Sequence, residues 1–541
     1  MPLIYPVWAS RFRVTHFSLI VLSVSILVGC ASLPPGSDFP KSVSSALVHP
    51  EETRLGRQFG NAGRQHGGTS GFRIIPVGAD GFLIRMQMIK AAEQTLDLQY
   101  FVFRGDETGK LLTAAVLHAA DRGVRVRVLV DDGDTESGDE GITVLEAHPS
   151  IQVRIFNPFV YRGHARLLRN VEFLFDISRL DYRMHNKLFI VDNAIALIGG
   201  RNIGDQFFQM DPESQVADDD IFAAGPIAMK LSATFDEFWN SDLSIPAEAL
   251  VGEKSAHAAL NDHREILNDQ RRQMKREGID YVKRAATGEP FKGMLSGHLP
   301  LIWARAQLVY DSPDKKKVKS GAKYGRLMQR ALANTTMEVQ SELLMVTPYL
   351  IPGNEGMRLL KDLRRRNVRV RILTNSLESS EQLLAHSGYM HYRVPLLENG
   401  VELYEIRALL GNSKGSGQTE AISRHGNYSL HAKLFVFDRQ KLFIGSMNFD
   451  QRSMHINTEI GLIIDSSELA SQLVARFEAM VQPVNAYQLV LHANGTGGRA
   501  GLVWRTQEGT NSVELDREPA RSDWQRAEVN FISLFPLDDE L

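Results

Sequence analysis

Two stretches of this chain carry the same residues at the same spacing, and nothing else limits its possible folds as strongly. "HNKLFIVDNAIALIGGRNIGD" begins at His185 and "HAKLFVFDRQKLFIGSMNFD" at His431. His185, Lys187, Asp192, Gly199 and Asn202 recur as His431, Lys433, Asp438, Gly445 and Asn448, each 246 positions later. The similarity extends upstream, where "RGVRVRVLVDD" (Arg122 to Asp132) is echoed by "RNVRVRILTNS" (Arg366 to Ser376) at an offset of 244. A helical pattern precedes each, "TGKLLTAAVLHAADRG" and "NEGMRLLKDLRRRN", and an apolar run with a tyrosine precedes each helix. The order strand, helix, strand, His-x-Lys strand therefore occurs twice. Alternating strand and helix signals predict α/β units around a largely buried sheet. A period this long indicates a duplicated domain rather than a solenoid.

At 541 residues the chain is also too long for one ordinary core. We place the first domain at 51–245, a helical connector at 246–300 and the second domain at 301–541. The connector "ALNDHREILNDQRRQMKREGIDYVKR" interleaves acids with bases and reads as a solvated helix. "YQLVLHANGTGGRAGLVWRTQ" reads as a C-terminal hairpin added to the second sheet. "GNSKGSGQTEAISRHGN", just before His431, reads as a flexible loop: a lid or acceptor-binding element, or a tolerated surface insertion.

Composition excludes some classes. Hydrophobic content of 43% and charged content of 23% fit a globular protein. A formal net charge of −3 lacks the basic excess of a dedicated nucleic-acid binder. The single cysteine, Cys30, ends "RFRVTHFSLIVLSVSILVGC", a charged then apolar segment too short to read first as a spanning helix. Residues 1–30 thus read as a signal segment. Leu27-Val28-Gly29-Cys30 resembles the lipobox of bacterial lipoproteins, which implies lipidation of Cys30; a free buried cysteine or an uncleaved anchor are the alternatives. Residues 31–50, rich in Pro and Ser, read as a tether. The expected location is the bacterial cell envelope, anchored through Cys30 and facing the periplasm, with inner or outer membrane left open.

On a strand, residues i and i+2 share a face, so His185 and Lys187 project together, as do His431 and Lys433. An imidazole and an ammonium side by side disfavour each other's charge unless an anion lies between them, and a phosphate supplies one. The glycines allow a tight turn that returns Asn202 and Asn448 as neutral donors. Two copies across a pseudo-twofold axis would surround one phosphodiester. One histidine then attacks phosphorus to form a phosphohistidine, and the other serves as general acid and base. Lysines and asparagines stabilise the equatorial oxygens. No cluster has metal-ligand spacing, so neither metal nor cofactor is expected. Each histidine needs a carboxylate on its other nitrogen. Glu459 suits His431 in this reading, and Asp218 and Asp220 suit His185, with Asp219 facing away or the acidic triplet forming a solvated turn. Asp192 and Asp438 end their strands and are expected to hold the turn.

At these residues the sequence resembles the phospholipase D superfamily, whose signature is H-x-K-x4-D followed by a Gly-rich turn and Asn. "FDEFWNSD", "QLVYDSPDK" and "VTPYLIPG" make it most similar to the bacterial cardiolipin synthase C type. The resemblance implies a duplicated phospholipase D-like domain, two α/β/α sandwich halves packed as a pseudo-twofold dimer. It implies a phosphatidyltransferase making cardiolipin from phosphatidylglycerol and a donor such as phosphatidylethanolamine, with His185 as nucleophile and His431 as general acid. Gly200 stands where the second motif has Ser446, so the halves need not be equivalent.

A lipid substrate and a membrane partner agree with the chain before the first motif. There Arg162, Arg166, Arg169, Arg179 and Arg183 alternate with Leu and Phe, a composition suited to phosphate headgroups and acyl chains. "LSGHLPLIWARAQL" reads as a buried strand with its lead-in, or a channel wall. The rival readings are a hydrolytic phospholipase D, a nuclease, or an inactive phospholipid-binding envelope protein. An accessory protein is left open, and no nucleic-acid partner is expected.

Overall fold

In this computed structural model, both His-x-Lys motifs lead into two-stranded hairpins with the same tight turn. The structure describes residues 34–133, 145–163, 165–211, 214–251, 260, 264–267, 269, 272, 289–296, 298–315, 327–410, 427–492 and 501–535. The signal segment with Cys30, most of the connector and most of the loop before His431 lie outside the described residues.

The strands are β1 (Ser70–Ile75), β2 (Thr95–Tyr100), β3 (Arg125–Asp131), β4 (Ile151–Phe156), β5 (Leu188–Val191), β6 (Ile195–Gly199), β7 (Ser214–Ala217), β8 (Asp220–Ala224) and β9 (Ser244–Pro246). The second half contributes β10 (Ile302–Tyr310), β11 (Glu342–Val346), β12 (Arg369–Asn375), β13 (Glu402–Ile406), β14 (Asn427–Leu430), β15 (Leu434–Phe437), β16 (Lys441–Gly445), β17 (Ile460–Asp465), β18 (Ala486–His492), β19 (Gly501–Glu508) and β20 (Asn511–Leu515). The helices used below are α1 (Gly78–Ala91), α2 (Glu107–Asp121), α3 (Arg166–Phe175), α4 (Pro226–Trp239), α5 (Leu327–Met337), α6 (Gly353–Arg365), α7 (Leu383–Met390), α8 (Ser467–Met480) and α9 (Asp523–Ile532).

The first sheet runs β1-β8-β6-β5-β2-β3-β4-β9, and the second repeats it strand for strand as β10-β17-β16-β15-β11-β12-β13-β18. β2, β3 and β4 are mutually parallel, as are β11, β12 and β13. The equivalent edge strands β1 and β10 pair antiparallel, which joins the two sheets. "LPLIWARAQL" is therefore the strand at the junction of the halves. β19 and β20 extend the second sheet beyond β18.

Alternation along each strand decides what it packs against. In β5, Leu188 and Ile190 face a core shared by both halves, while Phe189 and Val191 face the core that α1 and α2 cover. β15 repeats this: Leu434 and Val436 enter the shared core, Phe435 and Phe437 the core under α5 and α6. Helices α4 and α8 lie in the shared core, through Phe235 and Trp239 and through Leu473 and Phe477. Each half is an α/β/α sandwich, and the twofold buries the inner layer of both.

The aspartates of the two motifs serve the fold. Asp192 and Asn193 have φ of 52° and 51°, and Asp438 and Arg439 have 50° and 57°, the left-handed pair of a type I′ hairpin turn. The Asp192 carboxylate accepts from the main-chain N–H groups of Glu93, Gln94 and Thr95 at 3.0, 2.8 and 2.9 Å. Asp438 does the same for Gln340, Ser341 and Glu342. Each aspartate thus fixes its own hairpin turn and the entry of the neighbouring parallel strand. Asp192 is fully buried, whereas Asp438 keeps some exposure. Asp192→Ala is expected to lower stability by about 3–5 kcal/mol, because it orphans three amides and places alanine at positive φ. Urea unfolding should show a smaller loss for Asp438→Ala.

Candidate active site

The two His-x-Lys motifs meet where the halves are stitched together by backbone. β14 and β7 form a short parallel ladder, and the His431 amide donates to Ala217 O at 2.7 Å. The His185 amide donates to Thr458 O at 2.9 Å, and Thr458 N donates to Arg183 O. Each histidine is therefore placed by backbone of the opposite half.

The side chains follow the same crossing. His185 Nδ1 lies 2.9 Å from Glu459 Oε2, and His431 Nδ1 lies 2.6 Å from Asp218 Oδ2. This corrects the sequence expectation, which gave Glu459 to His431 and Asp218 to His185. Asp220 is not at a histidine at all. It is buried between Arg85 and Arg201, at 2.8 and 3.1 Å. Asp219 points away, as expected, to Arg476 at 3.2 Å. The sheet register explains the exchange: Gly199 pairs with Asp220 and Gly445 with Gly461, so Asp218 and Glu459 occupy equivalent positions. Face-to-face packing then aims each at the partner half.

With Nδ1 held on both rings, Nε2 is the nitrogen left for chemistry. Lys187 Nζ donates to His185 O at 2.6 Å, and Lys433 Nζ donates to His431 O, so each ammonium is tied to its own motif. Asn202 Oδ1 accepts from Val102 N at 3.2 Å, which leaves its Nδ2 for a ligand. Asn448 Oδ1 is buried without a hydrogen-bond partner. Phe101 meets the His185 ring edge-on at 5.1 Å, and Phe207 meets His431 likewise at 5.5 Å. Neither aromatic carried a signal in the motif itself, although Phe101 follows the tyrosine-bearing strand that the repeat singles out.

Burial dominates the electrostatics. It pushes His185 well below its ordinary value, helped by the charges of Lys187 and Lys433. Burial and Lys433 likewise take His431 down to about 3, although Asp218 pulls it upward. Lys433 is lowered by burial to about 8, and Lys187 is held well below its usual value for the same reason. Burial raises Glu459 to about 7, against the pull of Lys187. For Asp218 burial acts upward but is outweighed by the hydrogen bond from His431 and the nearby cations, so it stays below the usual carboxylate range. Since Lys433 acts on His185 and Lys187 on His431, the two motifs form a single site. An anion bound between the lysines would favour their charged forms and those of the imidazoles.

The difference between Gly200 and Ser446 is explained here. A Cβ at Gly200 would stand 2.4 Å from Asp218 Oδ1, so the shorter carboxylate reaches His431 only past a glycine. Opposite, Ser446 Oγ donates to Glu459 Oε2 at 2.5 Å and helps hold the longer one. Gly200→Ala is expected to displace Asp218 and lower turnover by about 10²-fold, read in steady-state assays with circular dichroism as a folding control.

The arginines before the first motif are otherwise engaged than expected. Arg162 and Arg169 pair with Asp132, Arg179 with Asp176, and Arg183 with Asp131. A buried guanidinium needs an acidic partner, and each of these has one. Nothing is described of the Arg166 side chain. Asp131 Oδ2 in turn accepts from Met184 N at 2.8 Å, and Asn375 Oδ1 accepts from Leu430 N at 2.8 Å, so the end of each central parallel strand holds the residue before a motif histidine.

Fold and site together define a duplicated protein of the phospholipase D class. The family model described as "Cardiolipin synthase, PLD-like domain" matches residues 86–239 and 332–481, one copy per half. The chain is 35% identical over 480 residues to cardiolipin synthase C of Escherichia coli (strain K12), covering 88% of this chain and 97% of that protein. It is 24% identical over 408 residues to the major cardiolipin synthase ClsA of Bacillus subtilis (strain 168), covering 75% and 67%. The crystal structure of phosphatidylserine synthase from Haemophilus influenzae Rd KW20 superposes with a TM-score of 0.54 at 11% identity, covering 89% of this chain and 99% of that one, a likeness of fold. The chain belongs to the cardiolipin synthase family of the phospholipase D superfamily.

Proposed function

We propose that this protein is a phosphatidyltransferase that makes cardiolipin from phosphatidylglycerol and a phosphatidyl donor, phosphatidylethanolamine, through a phosphohistidine. The observation that carries the reading is the crossed pair of buried His–carboxylate couples with two lysines in one site. His185, kept neutral by burial, attacks phosphorus through Nε2. The donor's alcohol leaves with a proton from His431, whose imidazolium the ionised Asp218 stabilises once the phosphodiester has brought its negative charge. The acceptor hydroxyl then gives its proton to His431 and attacks phosphorus, which releases His185 and forms cardiolipin. Lys187, Lys433, Asn202 and Asn448 face the charge that develops on the equatorial oxygens.

The reading is tested by supplying phosphatidylethanolamine and phosphatidylglycerol in detergent and measuring lipid products by mass spectrometry. Cardiolipin with release of ethanolamine supports it, and phosphatidic acid alone makes the protein a hydrolase. The site also sets a pH dependence. Glu459 orients His185 as a carboxylate, so kcat/KM should rise through pH ~7 as Glu459 loses its proton. It should fall above pH ~8 as Lys433 loses its charge. Lys433→Arg is expected to shift the alkaline limb upward.

A further inference from the structure

Resting on that reading, we infer that α3 and α9 form a two-helix rim by which the protein docks the mouth of its active site on a phospholipid bilayer. Helix α3 is inverted relative to an ordinary surface helix. Its polar side faces the protein: Arg169 donates to the Asp132 carbonyl, and the Glu172 carboxylate accepts from Val160 N and Tyr161 N at 2.7 and 2.9 Å. Its apolar side faces out, with Leu167, Leu174 and Phe175 exposed to 74%, 72% and 72%. A soluble surface helix places these residues the other way round.

Helix α9 in the second half has the same character. Val529 is its one buried residue, whereas Trp524 and Phe531 are 77% and 63% exposed and Leu534 just beyond it is 77% exposed. The helix is hung on the protein by polar contacts: Gln525 Nε2 donates to Leu377 O at 3.0 Å, and Arg521 Nε donates to Glu378 O at 2.5 Å.

The attachment points relate the two helices to the site. α3 is tied to Asp132, the residue after β3, and α9 to Leu377 and Glu378, just after β12. β3 and β12 are the equivalent strands of the two sheets, and their last residues hold Met184 and Leu430, the neighbours of the two catalytic histidines. The internal twofold thus places one apolar helix beside the approach to each histidine.

The occupant follows from size and position. Each face is on the order of 500 Å², short of the ~800 Å² per partner that a standard protein interface buries. A second copy spanning both faces would close the mouth between them to substrate. A bilayer covers both without closing it, because diacyl substrates arrive through that same surface. The Trp and Phe side chains on α9 suit the headgroup boundary.

The test uses full-length protein with Cys30→Ser, which removes the only thiol and any lipid carried on it. An environment-sensitive fluorophore is placed at Leu174→Cys, at Phe531→Cys, or at Arg365→Cys at the far end of the second sheet. With vesicles of phosphatidylethanolamine and phosphatidylglycerol, the first two labels should brighten by about three-fold and be quenched by nitroxide acyl chains, and the third should not change. Leu174→Asp combined with Phe531→Asp should weaken vesicle binding by about ten-fold or more, while turnover of the same lipids in detergent micelles stays within about two-fold. Silent labels with unchanged vesicle affinity overturn the proposal. So do labels that become buried with rising protein concentration in the absence of vesicles, which would assign the rim to a second copy. Failure of the wild type to make cardiolipin in micelles counts against the transferase reading alone, because the labels report insertion without turnover.

Discussion

His185→Ala and His431→Ala are each expected to lower cardiolipin formation by roughly 10⁴-fold or more, since in the proposed mechanism each removes a group that bonds to the reacting atoms. The two variants should nevertheless differ with a donor whose leaving group needs no proton, such as a phosphatidyl ester of p-nitrophenol. His431→Ala should still release a burst of p-nitrophenol, because His185 can form its bond to phosphorus without help. His185→Ala should release none. Rapid-mixing absorbance measurements separate the two. A burst from His185→Ala alone would reverse the roles, and equal bursts from both would deny the nucleophile to either histidine.

Asp218→Asn is the second large effect. The asparagine keeps the volume of a side chain that is fully buried, so the fold should persist. What it loses is the carboxylate 2.6 Å from His431 Nδ1. An amide no longer stabilises the imidazolium and permits the wrong tautomer, and a loss of about 10³–10⁴-fold in kcat is expected. Because the carboxylate belongs to the first half and the histidine to the second, the loss marks a coupling across the twofold. Asp220→Asn, which disturbs the buried arginine pair, should instead lower stability. Thermal unfolding combined with kinetics distinguishes the two aspartates two positions apart.

Much of this was legible in the sequence because the repeat is local. The His-x-Lys spacing, the hairpin, the glycines and the asparagines lie within short windows whose periodicity dictates the structure. The pairing of carboxylate with histidine was not legible, for two physical reasons. Asp218 lies sixteen positions after Asn202 but Glu459 only eleven after Asn448, so the equivalence of the two acids is hidden from a fixed offset. And which histidine each acid meets is decided by the packing of one sheet on the other, which no window of sequence contains. The arginines before the first motif misled in a related way. Their alternation with Leu and Phe resembles a headgroup site, but the acids that pair with Arg162, Arg169 and Arg183, namely Asp131 and Asp132, come from the end of β3, about thirty to fifty residues earlier. The apolar residues among them kept the exposure that a lipid-facing segment requires.

Locating the covalent intermediate decides whether the two half-sites make one phosphatidyl-transfer centre with His185 as nucleophile. Wild-type protein would be mixed with donor lipid in the absence of acceptor, quenched in alkali to preserve a phosphorus–nitrogen bond, digested and mapped by mass spectrometry. A phosphatidyl adduct is expected on the peptide bearing His185, and it should disappear when phosphatidylglycerol is added before the quench. An adduct on His431, or donor turnover with no adduct on either histidine, would contradict that assignment.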